Sequence, residues 1–325
     1  MTSFQGSDKV CVFLRRTPPA SEPMENAPLT AGAHEKKEDY IMKKLFALLL
    51  TMAMVLSLAA CGGGDTADTT EDTTGDTQTE DTGDTADASF TTVEEGKLIM
   101  STNAQFPPYE MVADGEGVYQ GFEGIDIEIA MAIADKLGLE LQIDDMEFDS
   151  ALLAVQNNAA DMMLAGLSYR EDRDEVVDFS VPYATGIQVV IVKEGSDVTM
   201  DNLGDYMIGT QRGTTGYLYA SDTPENGGYG EDHVIAYDNG ATAVQELING
   251  TIDAVIIDNA PAQEYVSANA DAGLTILDGA WVEEQYCAAV DEGNEALLNA
   301  INTALNELIE DGTVQTIIDK YITAD

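Results

Sequence analysis

Cysteine and histidine are scarce in this 325-residue chain. The three cysteines are Cys11, Cys61 and Cys287, and the two histidines are His34 and His233. So few thiol and imidazole groups disfavour a transition-metal site, a Cys–His catalytic pair and a disulfide framework. We expect no metal and no cofactor. Cys287 stands in an apolar run, which indicates a small buried side chain rather than a nucleophile.

Positive charge is the second deficit. The chain has 14 Lys and Arg against 60 Asp and Glu, a formal net charge of −46. Residues 90–325 hold 45 of the acidic side chains and seven of the basic ones, a net charge of about −38. Such a surface repels phosphate backbones and excludes nucleic acid as a partner. Because positive charge is so scarce in this segment, each of its arginines is a candidate for a specific role.

Long apolar runs are absent apart from MKKLFALLLTMAMVLSLAAC at residues 42–61. Two lysines precede its apolar stretch and small residues close it, as in a secretory signal. The stretch is shorter than the ~20 residues of a membrane-spanning helix. Its last four residues, Leu-Ala-Ala-Cys, resemble the lipobox of bacterial lipoproteins, which implies cleavage before Cys61 and a diacylglyceryl group on its sulfur. We predict a signal peptide at residues 42–60 and a lipid anchor at Cys61.

The segments on either side of the signal are polar. Residues 1–41 have no hydrophobic periodicity, and we interpret them as a mis-called leader in front of a true start at Met42. Residues 62–89 contain nine acidic residues, no basic residue and no large apolar one. Such a composition cannot bury enough surface to offset chain entropy. We therefore predict that residues 61–89 form the lipidated cysteine and a disordered, acidic, Thr-rich tether.

From Lys97 onward, short β-branched runs alternate with segments of helical period. Ile125, Ile129, Ile133 and Leu137 share one helical face, and Gly138 is placed to end that helix. One strand is expected across Gln285–Val290. The alternation predicts an α/β protein with mainly parallel sheets, arranged as two lobes with a cleft between them.

The densest chemical signal is AGLSYREDR at residues 165–173. Gly166 at the end of a strand lets a ligand approach the backbone, and Ser168 with Glu171 fits a capping box at a helix start. The free N–H groups of such a start and the guanidinium of Arg173 would together bind a carboxylate. The alternative is an ordinary capped helix with a surface arginine.

Weaker signals lie elsewhere. The GTTG segment at residues 213–216 offers hydroxyl and N–H groups at another helix start. Asp258 follows an apolar strand, where open α/β sheets place ligand groups, so it binds an ammonium group or caps the next helix. Aromatic residues near strand ends, which wall a ligand pocket or belong to the core, are Phe106, Tyr109 and Phe148.

These motifs occur in an order that resembles the family 3 extracellular solute-binding proteins of amino-acid ABC importers. The segments that carry the resemblance are NAQFPPYE (103–110), GIDIEIAMAIADKLG (124–138), GLSYREDRDEVVDFSVPY (166–183), GTTG (213–216), AVQELINGTIDAVIID (243–258), EEQYCAAV (283–290) and LIEDGTVQTIIDKY (308–321). The similarity covers residues 93–321. It implies a periplasmic-binding-protein-like type II fold of two α/β lobes, joined by two hinge crossings near Gly186–Val192 and Val282–Ala288.

The resemblance also implies lobe boundaries and a biological role. Lobe 1 would comprise residues 90–186 and 287–325, and lobe 2 residues 187–286. The protein would be a monomer without enzymatic activity that closes on an amino acid and delivers it to a membrane permease. With the anchor at Cys61, it would work at the extracellular face of the cytoplasmic membrane of a Gram-positive-type envelope.

Site residues follow from the same resemblance. Arg173 would clamp the α-carboxylate of the ligand, and Asp258 would take its α-ammonium. The residues assisting Arg173 would be Gly166, Ser168 and Thr215. Those around the ligand side chain would be Phe106, Phe148, Asn103 and Gln211. Members selective for basic ligands often have aspartate where this chain has Asn103, so the asparagine and the acidic surface favour a neutral polar amino acid.

Two alternative functions remain open, and one segment differs from the usual sequence of the family. Some relatives of this fold are dehydratases of the cyclohexadienyl or arogenate type, which need an acid/base group such as Glu110, Glu147 or Asp149. A lipoprotein that presents its ligand to a sensor kinase is the other alternative. The chain has Arg170-Glu171 where many members of the family have Thr-Pro, so the loop before Arg173 is expected to differ.

Overall fold

The structure, a computed structural model, describes residues 90–322. The predictions for residues 1–89, namely the leader, the signal peptide, the lipidated Cys61 and the tether, lie outside the described residues, as do residues 323–325. Across the described part of the chain, no helix is both long and apolar enough to cross a membrane.

Strands and helices alternate from Lys97 to Tyr321. The strands are β1 Lys97–Thr102, β2 Gln105–Phe106, β3 Glu110–Val112, β4 Phe122–Glu123, β5 Glu140–Asp145, β6 Met162–Met163, β7 Val177–Phe179, β8 Ala184–Lys193, β9 Ile208–Gln211, β10 Val234–Tyr237, β11 Ala254–Asp258, β12 Leu274–Ile276, β13 Val282–Tyr286 and β14 Ala289–Asp291. The helices are α1 Ile125–Leu137, α2 Phe148–Gln156, α3 Thr215–Ser221, α4 Gly240–Asn249, α5 Asn259–Ala268, α6 Glu295–Glu310 and α7 Thr313–Tyr321.

The first sheet has the strand order β5-β1-β6-β14-β7. β1 runs parallel to β5 and β6, whereas β14 runs antiparallel to β6 and β7. Helix α1 buries Ile125, Ile129 and Ile133 completely, as its helical period predicts. The helix ends at Gly138, whose φ of 69° is left-handed, which confirms the predicted helix end.

The second sheet has the order β10-β9-β11-β8-β12, and β13 also pairs with β8. β9 is parallel to β10 and β11, but β8 is antiparallel to β11, β12 and β13. The prediction of mainly parallel sheets is therefore wrong, because both sheets are mixed. The chain enters the second sheet through β8 and leaves it through β13, and these two strands pair side by side in opposite directions, whereas parallel pairs need a long crossover. A small sheet, β2-β3-β4, completes the fold.

Two short segments connect the large sheets. The chain leaves β7 at Phe179 and begins β8 at Ala184, then leaves β13 at Tyr286 and begins β14 at Ala289. The first crossing was predicted near Gly186–Val192, which lies inside β8. The predicted lobe boundaries, which stay predictions, fall within β8 and at the end of β13.

The predicted strand across Gln285–Val290 is two strands, β13 and β14. The N–H of Cys287 donates to the Leu167 carbonyl at 3.0 Å, and that of Ala288 donates to Ser180 Oγ at 2.9 Å. At Cys287 and Ala288 these bonds take the place of pairing with a neighbouring strand, which separates β13 from β14. The sequence pattern could not distinguish one continuous strand from two. Cys287 is buried, as predicted.

Candidate functional site

A cavity lies between the two large sheets. Its lining residues are Asn103, Phe106, Glu110, Phe148, Ala165, Gly166, Ser168, Arg173, Gln211, Thr214, Thr215 and Asp258. All nine residues that the sequence predicted as ligand contacts are in this set. The structure thus brings them together, while their role as ligand contacts stays a prediction.

Strand ends carry several of these side chains to the cavity. Asn103 follows β1, Gln211 is the last residue of β9, and Asp258 is the last residue of β11. Each of these strands has a parallel neighbour, and open α/β sheets place ligand groups at the carboxyl ends of such strands. Gly166 and Ser168 follow β6, which is also parallel to β1.

Arg173 supplies the positive charge of the cavity and is only 5% exposed. Its Nη1 donates to the Ser168 carbonyl at 2.8 Å, its Nη2 donates to the Gly213 carbonyl at 2.9 Å, and its guanidinium carbon lies 5.5 Å from the Phe148 ring centre. Burial, and then the charge of Arg170, lower the pKa of Arg173 to about 10, so it stays protonated at neutral pH. Within residues 90–322 no carboxylate forms an ion pair with Arg173.

The segment around Ser168 differs from the prediction. Ser168 forms an isolated antiparallel bridge with Tyr286, and residues 171–176 form turns rather than a helix. The Ser168 hydroxyl donates to Glu284 Oε2 at 2.8 Å, so the predicted capping box with Glu171 is wrong. The residues around Ser168 in the sequence could not indicate these contacts, because Tyr286 and Glu284 are distant in sequence. Tyr286 pairs with the backbone of Ser168, and Glu284 binds its side chain.

Asp258 supplies a buried carboxyl group. It precedes α5, but its side chain makes no capping hydrogen bond, so the capping alternative is wrong. Its Oδ2 accepts from Gln188 Nε2 at 2.7 Å, and its Oδ1 accepts from the Tyr286 hydroxyl. Burial, and then the charge of Glu284, raise the pKa of Asp258 to about 7 against these two hydrogen bonds, which lower it. A cation in the cavity would favour the ionised form.

Glu284 on β13 was missed by the sequence predictions. Its Oε2 accepts hydrogen bonds from Ser168 Oγ at 2.8 Å, Thr215 Oγ1 at 2.9 Å and Gln188 Nε2 at 3.2 Å. It therefore ties a residue next to the first sheet to one on α3. A signal was present, because Glu284 alternates at period two with the inward-facing Tyr286.

The predicted helix start at GTTG is confirmed. Helix α3 begins at Thr215, and Thr214 Oγ1 accepts from the Tyr217 N–H at 3.5 Å. Thr215 itself is buried and faces Glu284, so the two threonines have different partners.

Glu110, proposed from the sequence only as an acid/base candidate, is a fully buried cavity residue. Burial, and then the charge of Asp126, raise the pKa of Glu110 well above its usual value. Asp126 Oδ2 accepts from the Gly166 N–H and from the Tyr183 hydroxyl, each at 2.8 Å. Asp126 thereby fixes the backbone of Gly166 at the cavity wall.

Two side-chain amides lie against each other in the cavity. Gln211 Nε2 donates to Asn103 Oδ1 at 2.9 Å, and Asn103 Nδ2 donates to the Met146 carbonyl at 2.9 Å. Among residues 90–322, Gln211 Oε1 is buried and has no hydrogen-bond partner, so it is an available acceptor. Gly166 has φ 51°, and a Cβ there would lie 2.7 Å from the Phe106 ring, so the ring can approach the backbone only at glycine.

The cavity thus combines one guanidinium, two buried carboxyl groups of raised pKa (Glu110 and Asp258), aromatic rings and a pair of amides. A ligand carrying a carboxylate and an ammonium group a few ångströms apart would give both charges a partner, and unpaired charges in a desolvated cavity are costly. Across the described residues, no cluster of three or more His, Cys, Asp or Glu is arranged to hold a metal ion.

Lowering the pH from about 8 to about 5 should stabilise the ligand-free protein. Burial raises the pKa of both Asp126 and Asp258 to about 7, whereas unfolded aspartate has a pKa of about 3.9. The folded state therefore holds protons that the unfolded state lacks, and stability is greatest at low pH and is lost as pH rises toward about 7. We expect a change on the order of 2 kcal/mol for each carboxyl in the free energy of unfolding by urea.

A control separates these two groups from the general negative charge of the protein, which acts in the same direction. Asp258→Asn should reduce the pH dependence, whereas Glu264→Gln, on the exposed side of α5, should leave it unchanged. Stability that is constant or increases with pH would contradict the prediction.

Comparisons with known proteins agree with this geometry. Residues 98–324 match the profile of the bacterial extracellular solute-binding proteins, family 3. The L-cystine-binding protein TcyJ of Escherichia coli K12 is 31% identical over 235 residues, covering 71% of this chain and 85% of TcyJ. The arginine-binding extracellular protein ArtP of Bacillus subtilis 168 is 27% identical over 288 residues, covering 87% of this chain and all of ArtP. The structure of an ancestral arginine-binding protein bound to arginine has a TM-score of 0.64 and 37% identity, covering 70% of this chain and 98% of that one.

Proposed function

The chain belongs to the family 3 bacterial extracellular solute-binding proteins, and we propose that it captures one neutral polar amino acid in the cavity between its two sheets. Members of this family bind amino acids outside the cytoplasmic membrane and deliver them to ABC transporter permeases. The fold is accordingly two-lobed, and each lobe would contain one of the two large sheets. The chain is a binding protein and not an enzyme, so the dehydratase alternative is set aside.

The observation that carries the proposal is the placement of Arg173 and Asp258 in one cavity. Arg173 donates to backbone carbonyls on both sides of the cleft, at Ser168 and Gly213, and has no carboxylate partner in the described chain. An α-carboxylate would supply that partner as a bidentate ion pair. The α-ammonium group would lie at Asp258 and hold its carboxyl ionised.

The amide pair supports a neutral polar side chain. Asn103 and Gln211 are both nearly fully buried and bear no formal charge, and Gln211 Oε1 is free to accept a hydrogen bond. A ligand side chain with an N–H or O–H group would satisfy that acceptor. The rings of Phe106 and Phe148 would cover its methylene groups.

The anchor belongs to the same proposal. A diacylglyceryl group on Cys61 would retain the protein at the outer face of the membrane, and the acidic segment at residues 62–89 would keep the two lobes away from a negatively charged surface. Retention matters for a receptor in an envelope without an outer membrane, because a free one would diffuse away. A monomer suffices for this role.

A thermal-shift screen with the standard amino acids tests the proposal. At about 100-fold excess over Kd, asparagine, glutamine, serine or threonine should raise the unfolding midpoint by roughly 5–10 °C. The amide of the same amino acid, which lacks the carboxylate charge, should give no shift. An unchanged midpoint with every amino acid would refute amino-acid capture. A response to arginine or lysine alone would refute the neutral polar assignment and leave capture intact.

A further inference from the structure

Arg170 and Tyr219, here called the rim pair, meet across the cleft outside the cavity. The guanidinium carbon of Arg170 lies 4.8 Å from the centre of the Tyr219 ring on α3. Arg170 precedes the turns that follow β6, next to the first sheet, whereas α3 packs on the second sheet. Neither residue lines the cavity, so the rim pair joins the two lobes without belonging to the ligand site.

Both members of the rim pair are held in place by neighbours on their own side. Asp172 accepts from Nε and Nη2 of Arg170 at 2.8 and 3.1 Å, which fixes the plane of the guanidinium. The Tyr219 ring meets Trp281 edge-on at 6.3 Å, and Trp281 stacks on Tyr229 at 6.2 Å. The arginine side chain is only 16% exposed. The Arg170 guanidinium is thus held largely out of water against a half-buried ring, which strengthens a cation–π contact.

We propose that the rim pair is a latch that stabilises the closed cleft and thereby sets ligand affinity and residence time. The proposal rests on the proposed function, in which a ligand lies between the lobes. A contact made only when the lobes are together shifts the equilibrium toward the closed form and slows its opening. Arg170 is thus a positioning residue that acts on the ligand through closure rather than by contact.

The rim pair differs from the other contacts across the cleft in one testable respect. The bonds from Arg173 to Gly213 and from Gln211 to Asn103 use cavity residues, so their contribution depends on the ligand. The rim pair touches no ligand, so its contribution should be the same for every amino acid that the cavity accepts. Loss of the pair should lower affinity by one common factor and leave selectivity unchanged.

The test uses Arg170→Lys, which keeps the charge but loses the planar group, and Tyr219→Leu, which removes the ring. Tyr219→Phe, which keeps the ring, is the matched control. Stopped-flow fluorescence of Trp281, the single tryptophan, gives dissociation rates for each amino acid found in the screen. Arg170→Lys and Tyr219→Leu should dissociate roughly 3- to 10-fold faster by the same factor for each ligand, with Tyr219→Phe close to wild type.

Acrylamide quenching of Trp281 in the ligand-free protein supplies a second measurement that needs no ligand. Arg170→Lys should show faster quenching, because the rim opens more often, with an unchanged unfolding midpoint; Tyr219→Leu is left out of this comparison because it also removes a ring packed against Trp281. Dissociation rates and quenching that both stay at wild-type values would overturn the latch, as would a ligand-dependent loss of affinity. A wild-type protein that binds no amino acid would refute the proposed function instead, and quenching alone would then decide on the latch.

Discussion

Arg173→Ala should lower the affinity for the amino-acid ligand by roughly 10²- to 10⁴-fold. The substitution removes a buried cation that has no carboxylate partner within the described chain. The ligand carboxylate would then be buried without a partner. Removing one member of a buried ion pair costs about 3–5 kcal/mol, and each 1.4 kcal/mol is about tenfold in affinity. Isothermal calorimetry with the amino acid found in the thermal-shift screen measures the loss directly.

Two further variants complete that experiment. Arg173→Lys keeps the charge but not the two-pronged donor geometry, so it should recover only part of the affinity. Arg212→Ala is the matched control, because Arg212 is adjacent to Gln211 but its side chain is 55% exposed, and affinity should stay within about twofold. Since Arg173 also donates to Ser168 and Gly213, circular dichroism must show that the alanine variant is folded. A folded Arg173→Ala protein with wild-type affinity would remove Arg173 from the ligand site.

Local patterns predicted most of the regular elements of this fold. The isoleucine spacing of α1 and the glycine after it define one helix face and its end, and the structure has both. Helix α3 likewise begins within the predicted GTTG segment. Such elements carry enough information in their own residues, since apolar periodicity and a turn-forming residue together mark a segment and its limit.

The errors come from partners that are remote in sequence. Ser168 and Glu171 have the spacing of a capping box, yet Tyr286 pairs with the backbone of Ser168 and Glu284 accepts the hydrogen bond of its hydroxyl group. The antiparallel direction of β8 follows from where the chain enters and leaves the second sheet, which no local pattern records. Sequence reasoning of this kind identifies elements better than the pairing between them.

The candidate site shows the same division. The nine predicted residues could be identified from the order of the motifs along the chain, although none of them was distinctive by itself, and all nine line one cavity. Glu284 was missed, and the buried Glu110 was considered only for catalysis. Whether a carboxyl group is buried beside another carboxyl depends on tertiary packing, so the raised pKa of Glu110 and of Asp126 could not be anticipated from their own neighbours in sequence.

The second large effect is expected at Asp258. Asp258→Asn keeps the shape of the side chain but removes its charge, so the ligand ammonium would be buried without a counter-ion. We expect affinity to fall by roughly 10²- to 10³-fold in calorimetry. Glu264→Gln, which removes an exposed carboxylate from α5, should bind as the wild-type protein does.

The pH dependence of wild-type affinity follows from the same carboxyl group. Its pKa of about 7 in the cavity means that it is largely protonated at pH values below 7, and the ligand ammonium favours the ionised form. Binding below that pH therefore displaces a proton, and affinity should decrease by up to about tenfold for each pH unit lost. This trend is opposite to that of the stability of the ligand-free protein, which increases as pH falls. Asp258→Asn should flatten the affinity profile, and a variant profile as steep as that of the wild type would assign the proton to another carboxyl group.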